Sequence, residues 1–312
     1  MRHGWTLSIA VFALLSARVV RAEDPKPDPK PAPTVLGKPV PQPSPAVADL
    51  VIGAYLSMTG SEAAFGIATH EGITVAVDEQ NAKGGVRGRK IVLRTLDTMG
   101  KAQGAAAAVT RLITHDHVTA LIGEVASSLS LAGAAVAQKH RVPMITPAST
   151  NAKVTQVGDM IARACFIDSF QGEAMAKFAR TKLKLSKIAV LVDHAQVYST
   201  ELGASFATAF ANVGGVIATT QKYASGDTDW KTQLEAIRNA KADAIFIPGY
   251  YVDVGPIAKQ ARALGLKMPL LGGDGWDSPQ LAQPVDLVLG GIPGRLAAQD
   301  ERSLGPADGV DA

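Results

Sequence analysis

Residues 118–150 read VTALIGEVASSLSLAGAAVAQKHRVPMITPAST, and residues 243–275 read DAIFIPGYYVDVGPIAKQARALGLKMPLLGGDG. Each stretch opens on a short apolar run that leads to a glycine, Gly123 or Gly249. Each then carries a helical pattern, reaches Arg141-Val142-Pro143 or Lys267-Met268-Pro269, and starts a second short run. Gly123 lies 20 residues before Pro143, as Gly249 does before Pro269, and the copies are 126 residues apart. The same offset carries the run Lys90–Asp97 onto Val216–Tyr223. Three matches in register mark an internal repeat. Alternation of strand and helix predicts parallel sheets covered by helices on both faces. The fold class is therefore α/β, with two similar lobes at 48–164 and 165–283.

The remaining β-rich runs fit this plan: Val51–Ser57, Val118–Gly123, Met144–Thr146, Lys187–Asp193, Asp243–Pro248 and Met268–Gly272. Between them, Val254, Ile257, Ala258, Ala261 and Leu264 fall on one face of a helix, and so do Trp230, Leu234 and Ile237. Gly84-Gly85 follows a helical stretch and reads as its cap and turn, not as a phosphate loop.

The 312 residues are 47% hydrophobic and 19% charged, an ordinary globular composition. The first 22 residues carry Arg2, His3, an apolar run from Trp5 to Leu15, and Val20-Arg21-Ala22. These are the parts of an export signal cleaved near Ala22. The run is shorter than the ~20 residues that span a bilayer. A soluble product, periplasmic or otherwise exported, is expected. Residues 23–47 hold nine of the 18 prolines and predict an extended linker. The net charge of +3 comes from 31 basic and 28 acidic residues, and Arg2, Arg18 and Arg21 lie within the signal. The mature chain is then neutral, which gives no footprint for nucleic acid. One cysteine, Cys165, allows no internal disulfide and reads as a small buried hydrophobe.

Ligands of open α/β sheets bind beyond the carboxyl ends of the strands. In lobe one those ends carry Ser127, Ser128, Ser149 and Thr150, which offer hydroxyls and backbone N–H groups. In lobe two they carry Tyr250, Tyr251 and Asp274. Anion donors facing a carboxylate across a cleft match the charges of an amino-acid zwitterion. Glu124 stands where a further carboxylate could intrude on such a pocket.

With those residues in view, the chain from Val51 to Leu281 resembles the periplasmic leucine/isoleucine/valine-binding protein family, the solute-binding subunits of ABC importers. The resemblance is carried by Thr59-Gly60 with Phe65-Gly66, by Asn81 to Gly88, by Ile122-Gly123 with Ser127-Ser128, and by Pro143 to Thr150. It continues through Asp168 with Gln171-Gly172, Gly249-Tyr250-Tyr251, Lys259 to Arg262 and Gly272-Gly273-Asp274-Gly275. It implies a hinged type I periplasmic binding protein fold and no enzyme activity. The implied partners are an amino acid of apolar or branched-chain type and a membrane permease, with no cofactor and with the protein a monomer. Carried over by position, Ser127, Ala148 and Thr150 would hold the α-carboxylate and help place the ammonium. Asp274 would pair with the ammonium, Tyr198 and Tyr250 would be aromatics from lobe two, and Phe65 would line the side-chain pocket. The cysteine pair often found in lobe one of branched-chain members is replaced by Met99 and Ala126. The resemblance also implies further elements beyond Leu281. Residues 284–312, rich in Gly, Pro and Asp, read instead as an atypical tail of a shortened chain.

Other classes leave weaker traces. His115-Asp116-His117 has no third ligand near it in sequence, so no metal site is expected. There is no G-x-S-x-G elbow, P-loop or dinucleotide fingerprint. The alternatives to an importer subunit are a sensor input of the same fold, a truncated product without function, and an α/β hydrolase.

Overall fold

Valine, isoleucine and leucine runs too short for helices pair side by side into two separate sheets. The computed structural model describes residues 48–282, so the signal, the linker and the tail lie outside the described residues. The first sheet has five strands, β1 (Leu50–Leu56), β2 (Ile91–Asp97), β3 (Ala120–Ile122), β4 (Met144–Thr146) and β5 (Ile161–Arg163). The second has β6 (Lys187–Asp193), β7 (Val216–Tyr223), β8 (Ala244–Phe246) and β9 (Leu270–Leu271). All pairings are parallel, in the orders β2-β1-β3-β4-β5 and β7-β6-β8-β9. The internal repeat thus appears as one strand order used twice. Only β5 has no counterpart among the sequence-predicted strands. Its three residues, Ile161-Ala162-Arg163, are too few to show an alternation.

Parallel strands need crossovers, and helices supply them. These are α1 (Ala63–Ala82), α2 (Ala102–Thr114), α3 (Ser127–His140), the single turn α4 (Lys153–Gln156) and α5 (Asp168–Lys177). They continue with α6 (Val197–Asn212), α7 (Lys231–Asn239), α8 (Tyr251–Ala263) and the short α9 (Pro279–Ala282). The expected faces of α7 and α8 are seen: Leu234 and Ile237, then Val254, Ile257, Ala258 and Ala261, are all buried. They pack on Ala189, Leu191 and Ile245, whereas Ile188, Val190 and Val192 face Phe206 and Phe210 of α6. The second sheet is therefore covered on both faces, as two-sided burial of β6 requires.

The first sheet departs from that expectation. Leu121 and Met144 are buried in the same core as Val109 and Leu112 of α2 and Leu129 of α3. On the opposite face Ala54, Ile122, Ile145 and Ala162 form one row in register. Ala54 is fully buried, but Ile145 is 39% exposed and Ala162 is exposed. Of the described crossovers only α1, between β1 and β2, is set against this face, and α4 packs with α3 on the other. Among the described residues the face is open over β4 and β5.

Two carboxylates show how the strand-end loops are held. Glu124 is 1% exposed and its Oε1 accepts from Ser57 Oγ at 2.6 Å and Thr98 Oγ1 at 2.7 Å, while Oε2 accepts from the Val125 N–H at 2.6 Å. It ties together the ends of β1, β2 and β3 and is not among the residues that line the cavity described below, where it could have intruded. Glu62 caps α1 by position, but its side chain makes no capping bond and Oε2 meets no donor. Burial, then the charges of Glu124, Asp253 and Asp193, push its carboxyl up to about 8.

A carboxyl raised in the fold binds its proton more tightly there than in the unfolded chain, so the associated stability is present at acid pH and lost as pH rises through about 8. The melting midpoint should fall between pH 5.5 and 9, and Glu62→Gln should flatten that decline; an unchanged slope in the variant would refute the assignment. Gly66 supplies a second test. A Cβ there would stand 2.0 Å from the Ser57 carbonyl oxygen, which forbids any side chain where α1 meets the end of β1. Gly66→Ala should destabilise by about 1–3 kcal/mol, read as a lower melting midpoint at ~2–4 °C per kcal/mol.

Candidate functional site

Both sheets reverse strand order beside their first strand, and the loops at these points meet around one cavity of about 340 Å³. From the first sheet come Phe65 after β1, Ser127 after β3, and Ala148 and Thr150 after β4. From the second come Tyr198 after β6, Tyr250 after β8 and Asp274 after β9. All seven residues that the resemblance carried over line this cavity, whereas Ser128, Ser149 and Tyr251, also placed at strand ends by the sequence, are not in its lining. Their approach follows from parallel pairing, which opens the carboxyl ends of β1, β3 and β4 at one edge of the first sheet and those of β6, β8 and β9 at one edge of the second.

The hydroxyls of the first half are not helix caps. The N-cap of α3 is Ala126, and no side chain caps it. Ser127 Oγ instead accepts from the Asn151 N–H at 3.3 Å, which joins the β3 and β4 loops. Thr150 is 1% exposed, and its carbonyl accepts from the Asp168 N–H at 3.0 Å. Asp168 is itself buried, and burial pushes its carboxyl up to about 7, with the Thr150 hydroxyl opposing the rise.

In the second half, Asp274 opens a 3₁₀ turn, Asp274–Trp276. Its Oδ1 accepts from Gln171 Nε2 at 2.9 Å and from the Tyr198 hydroxyl at 2.8 Å. The same hydroxyl accepts from the Gly275 N–H at 3.0 Å. Burial raises the Asp274 carboxyl, and the Gln171 and Tyr198 bonds oppose that rise. The Tyr198 and Tyr250 rings stack with centroids 5.0 Å apart and an interplanar angle of 15°. Phe65 meets Tyr250 and Tyr251 edge-on at 6.0 and 5.0 Å. The Tyr251 hydroxyl donates to the Ser61 carbonyl at 2.9 Å, so the aromatics of the second half close on the start of α1. Ser128 Oγ donates to Gln196 Oε1 at 2.8 Å, and Asn151 Nδ2 donates to the Val197 carbonyl at 3.0 Å. The two halves thus meet beside the cavity through hydrogen bonds as well as rings.

Sequence reading missed several members. Thr69 lies one turn beyond Phe65 on α1 and lines the cavity, as do Val125 and Asp277. The i, i+4 spacing from Phe65 could have revealed Thr69. Gln171 had only its place in the Asp168 motif to mark it. Cys165 is half-buried, not core, and its thiol lies 3.5 Å from the Ser149 carbonyl. His115 pairs with neighbouring Asp116 at 3.0 Å on the surface. Among the described residues no group of three His, Cys, Asp or Glu is placed to hold a metal, and no helix is long and apolar enough to cross a membrane.

Chemically, the cavity joins the hydroxyls of Ser127 and Thr150 to the half-buried carboxylate of Asp274 beside an aromatic stack. Its lining holds no Lys, Arg or His. It can accept an ammonium at Asp274 and offer hydrogen bonds to an anion at Ser127 and Thr150.

Comparison with known proteins agrees with this fold. The family model described as periplasmic binding protein matches residues 49–292. The Leu/Ile/Val-binding protein BraC3 of Rhizobium johnstonii is 31% identical over 232 residues, 74% of this chain and 62% of its own length. The Leu/Ile/Val-binding protein of Escherichia coli is 28% identical over 228 residues, 73% of this chain and 62% of its own. Among solved structures, the leucine-binding protein LivK of Thermotoga maritima has a TM-score of 0.71 and 42% identity, covering 75% of this chain and 66% of that one. LivJ of Streptococcus pneumoniae, in complex with isoleucine, has a TM-score of 0.71 and 34% identity, covering 76% and 67%. This chain therefore spans about 62% of the length of these two curated relatives. On the matched residues and the shared α/β architecture, the chain belongs to the periplasmic binding protein family.

Proposed function

We propose that this chain is an exported solute-binding protein that captures an amino acid, apolar or branched-chain, between two lobes at 48–164 and 165–283. Delivery to an ABC permease follows from the family's role in transport. The observation that carries the reading is that Asp274 of the second half and Ser127 and Thr150 of the first line one cavity. A zwitterion buried there exchanges water for partners of the right sign at both ends, which burial of charge demands. Phe65 and Val125 supply apolar wall for the side chain. Two structural neighbours from Rhodopseudomonas palustris, at 24% and 21% identity, were solved with 3,4-dihydroxybenzoic acid and 4-hydroxybenzoate. That likeness concerns the fold. A cavity with a half-buried acid and no basic residue in its lining favours a ligand that carries an amine over an aromatic anion.

Thermal melting of the purified chain against the twenty amino acids tests the reading. A ligand at 100 times its Kd stabilises by ~2.7 kcal/mol, roughly 5–10 °C at ~2–4 °C per kcal/mol. A few apolar amino acids should raise the midpoint, and Asp274→Ala should abolish the shift. A cooperative melt unmoved by every amino acid would refute the assignment. In the same assay 4-hydroxybenzoate should leave the midpoint unchanged; a shift with the benzoate alone would reverse the ligand class.

A further inference from the structure

The first turn of α5 touches both ends of the candidate site. It begins against the first half, where the Asp168 N–H donates to the Thr150 carbonyl at 3.0 Å. Three residues on, and so on the same helix face, Gln171 grips the acid of the second half with both ends of its amide. Its Nε2 donates to Asp274 Oδ1 at 2.9 Å, and its Oε1 accepts from the Asp274 N–H at 2.6 Å. Gln171 is 8% exposed and is not part of the cavity lining. Neighbouring Gly273 leaves the room for this grip: a Cβ there would stand 2.4 Å from Gln171 Oε1 and 2.9 Å from the Tyr198 hydroxyl.

Two bonds to separate atoms of one residue set the rotation of its carboxylate as well as its place. The Gln171 and Tyr198 donors both land on Oδ1, which leaves Oδ2 outside this pair of bonds. The distance from Asp274 to Thr150 is then set through a single helical turn, and not through the length of the chain between them. We propose that Gln171 is a positioning residue that fixes the separation of Asp274 and Thr150 and so selects α-amino acids over β-amino acids, an inference that rests on the amino-acid reading above. An α-amino acid carries ammonium and carboxylate on one carbon; the β-isomer separates them by another. The same amide also favours the ionised form of Asp274, because its bond is the first of those opposing the rise that burial causes in that carboxyl.

The test is calorimetric titration of the full chain with L-leucine against β-leucine, and L-alanine against β-alanine, over a range of pH. The parent should prefer the α-isomers. Gln171→Met, similar in size but without the amide, should weaken α-isomer binding by about tenfold or more and β-isomer binding clearly less. Gln171→Glu keeps an acceptor for the Asp274 N–H while setting a second carboxyl against Oδ1, which preserves the fold contact and removes the charge support. The acid limb of its binding profile should move to higher pH than the parent's. Equal losses for both isomers, or an acid limb that stays in place, would overturn the proposal and leave the amino-acid reading intact. Failure of the parent to bind any α-amino acid would overturn both.

Discussion

Parallel pairing is the constraint on which the rest of this molecule depends. Because β1, β3 and β4 run the same way, their carboxyl ends open at one edge, and each crossover must return over the sheet before the next strand starts. The second sheet repeats that arrangement with β6, β8 and β9. Side chains that follow those strands, from Phe65 to Asp274, are thereby delivered to one place although 209 positions separate them in the chain. The order β2-β1-β3 also decides which helices share a face. One consequence is the cover of the first sheet: among the described residues, α1 alone lies on the side where Ile145 stands exposed.

Within the strand-end loops, chemistry is divided among carboxylates by the donors each one meets. Glu124 accepts from two hydroxyls and from backbone N–H groups, so it serves as a fastening for three strands. Glu62, a short distance away in the fold, finds no donor for Oε2 and holds a proton instead. Asp274 lies between these cases. It is supported on one oxygen by Gln171 and Tyr198 and still faces a cavity. A carboxylate that is held but not saturated is the form that an ammonium ligand can complete.

The stacked pair of Tyr198 and Tyr250 links this electrostatic arrangement to packing. Tyr198 bonds Asp274 with its hydroxyl while its ring lies flat on Tyr250, which in turn meets Phe65 of the first half. Aromatic rings can do both because they bury a large apolar body and keep one polar tip. The contacts between halves at Ser128–Gln196 and Asn151–Val197 flank the same region, so the site and the junction of the two sheets are built from neighbouring residues.

The sequence by itself determined the repeat, eight of the nine described strands, and Ser127, Thr150, Tyr250 and Asp274 at the strand ends, because periodicity and the strand a residue follows are local properties of the chain; Phe65, Ala148 and Tyr198 were named by the family resemblance. The sequence did not reveal β5, whose three residues carry no period, nor the exposure of Ile145 among the described residues, which depends on how many crossovers fall on each side of a sheet. It also left undecided what each polar residue does. Glu124 and Glu62 are the same residue type in similar loops, and only three-dimensional neighbours make one a fastening and the other a proton holder. Gln171 is 103 positions from Asp274, and nothing in either segment names the other. Hydrogen bonds act over about 3 Å of space, so partners so distant in the chain are assigned only once tertiary packing has brought them together.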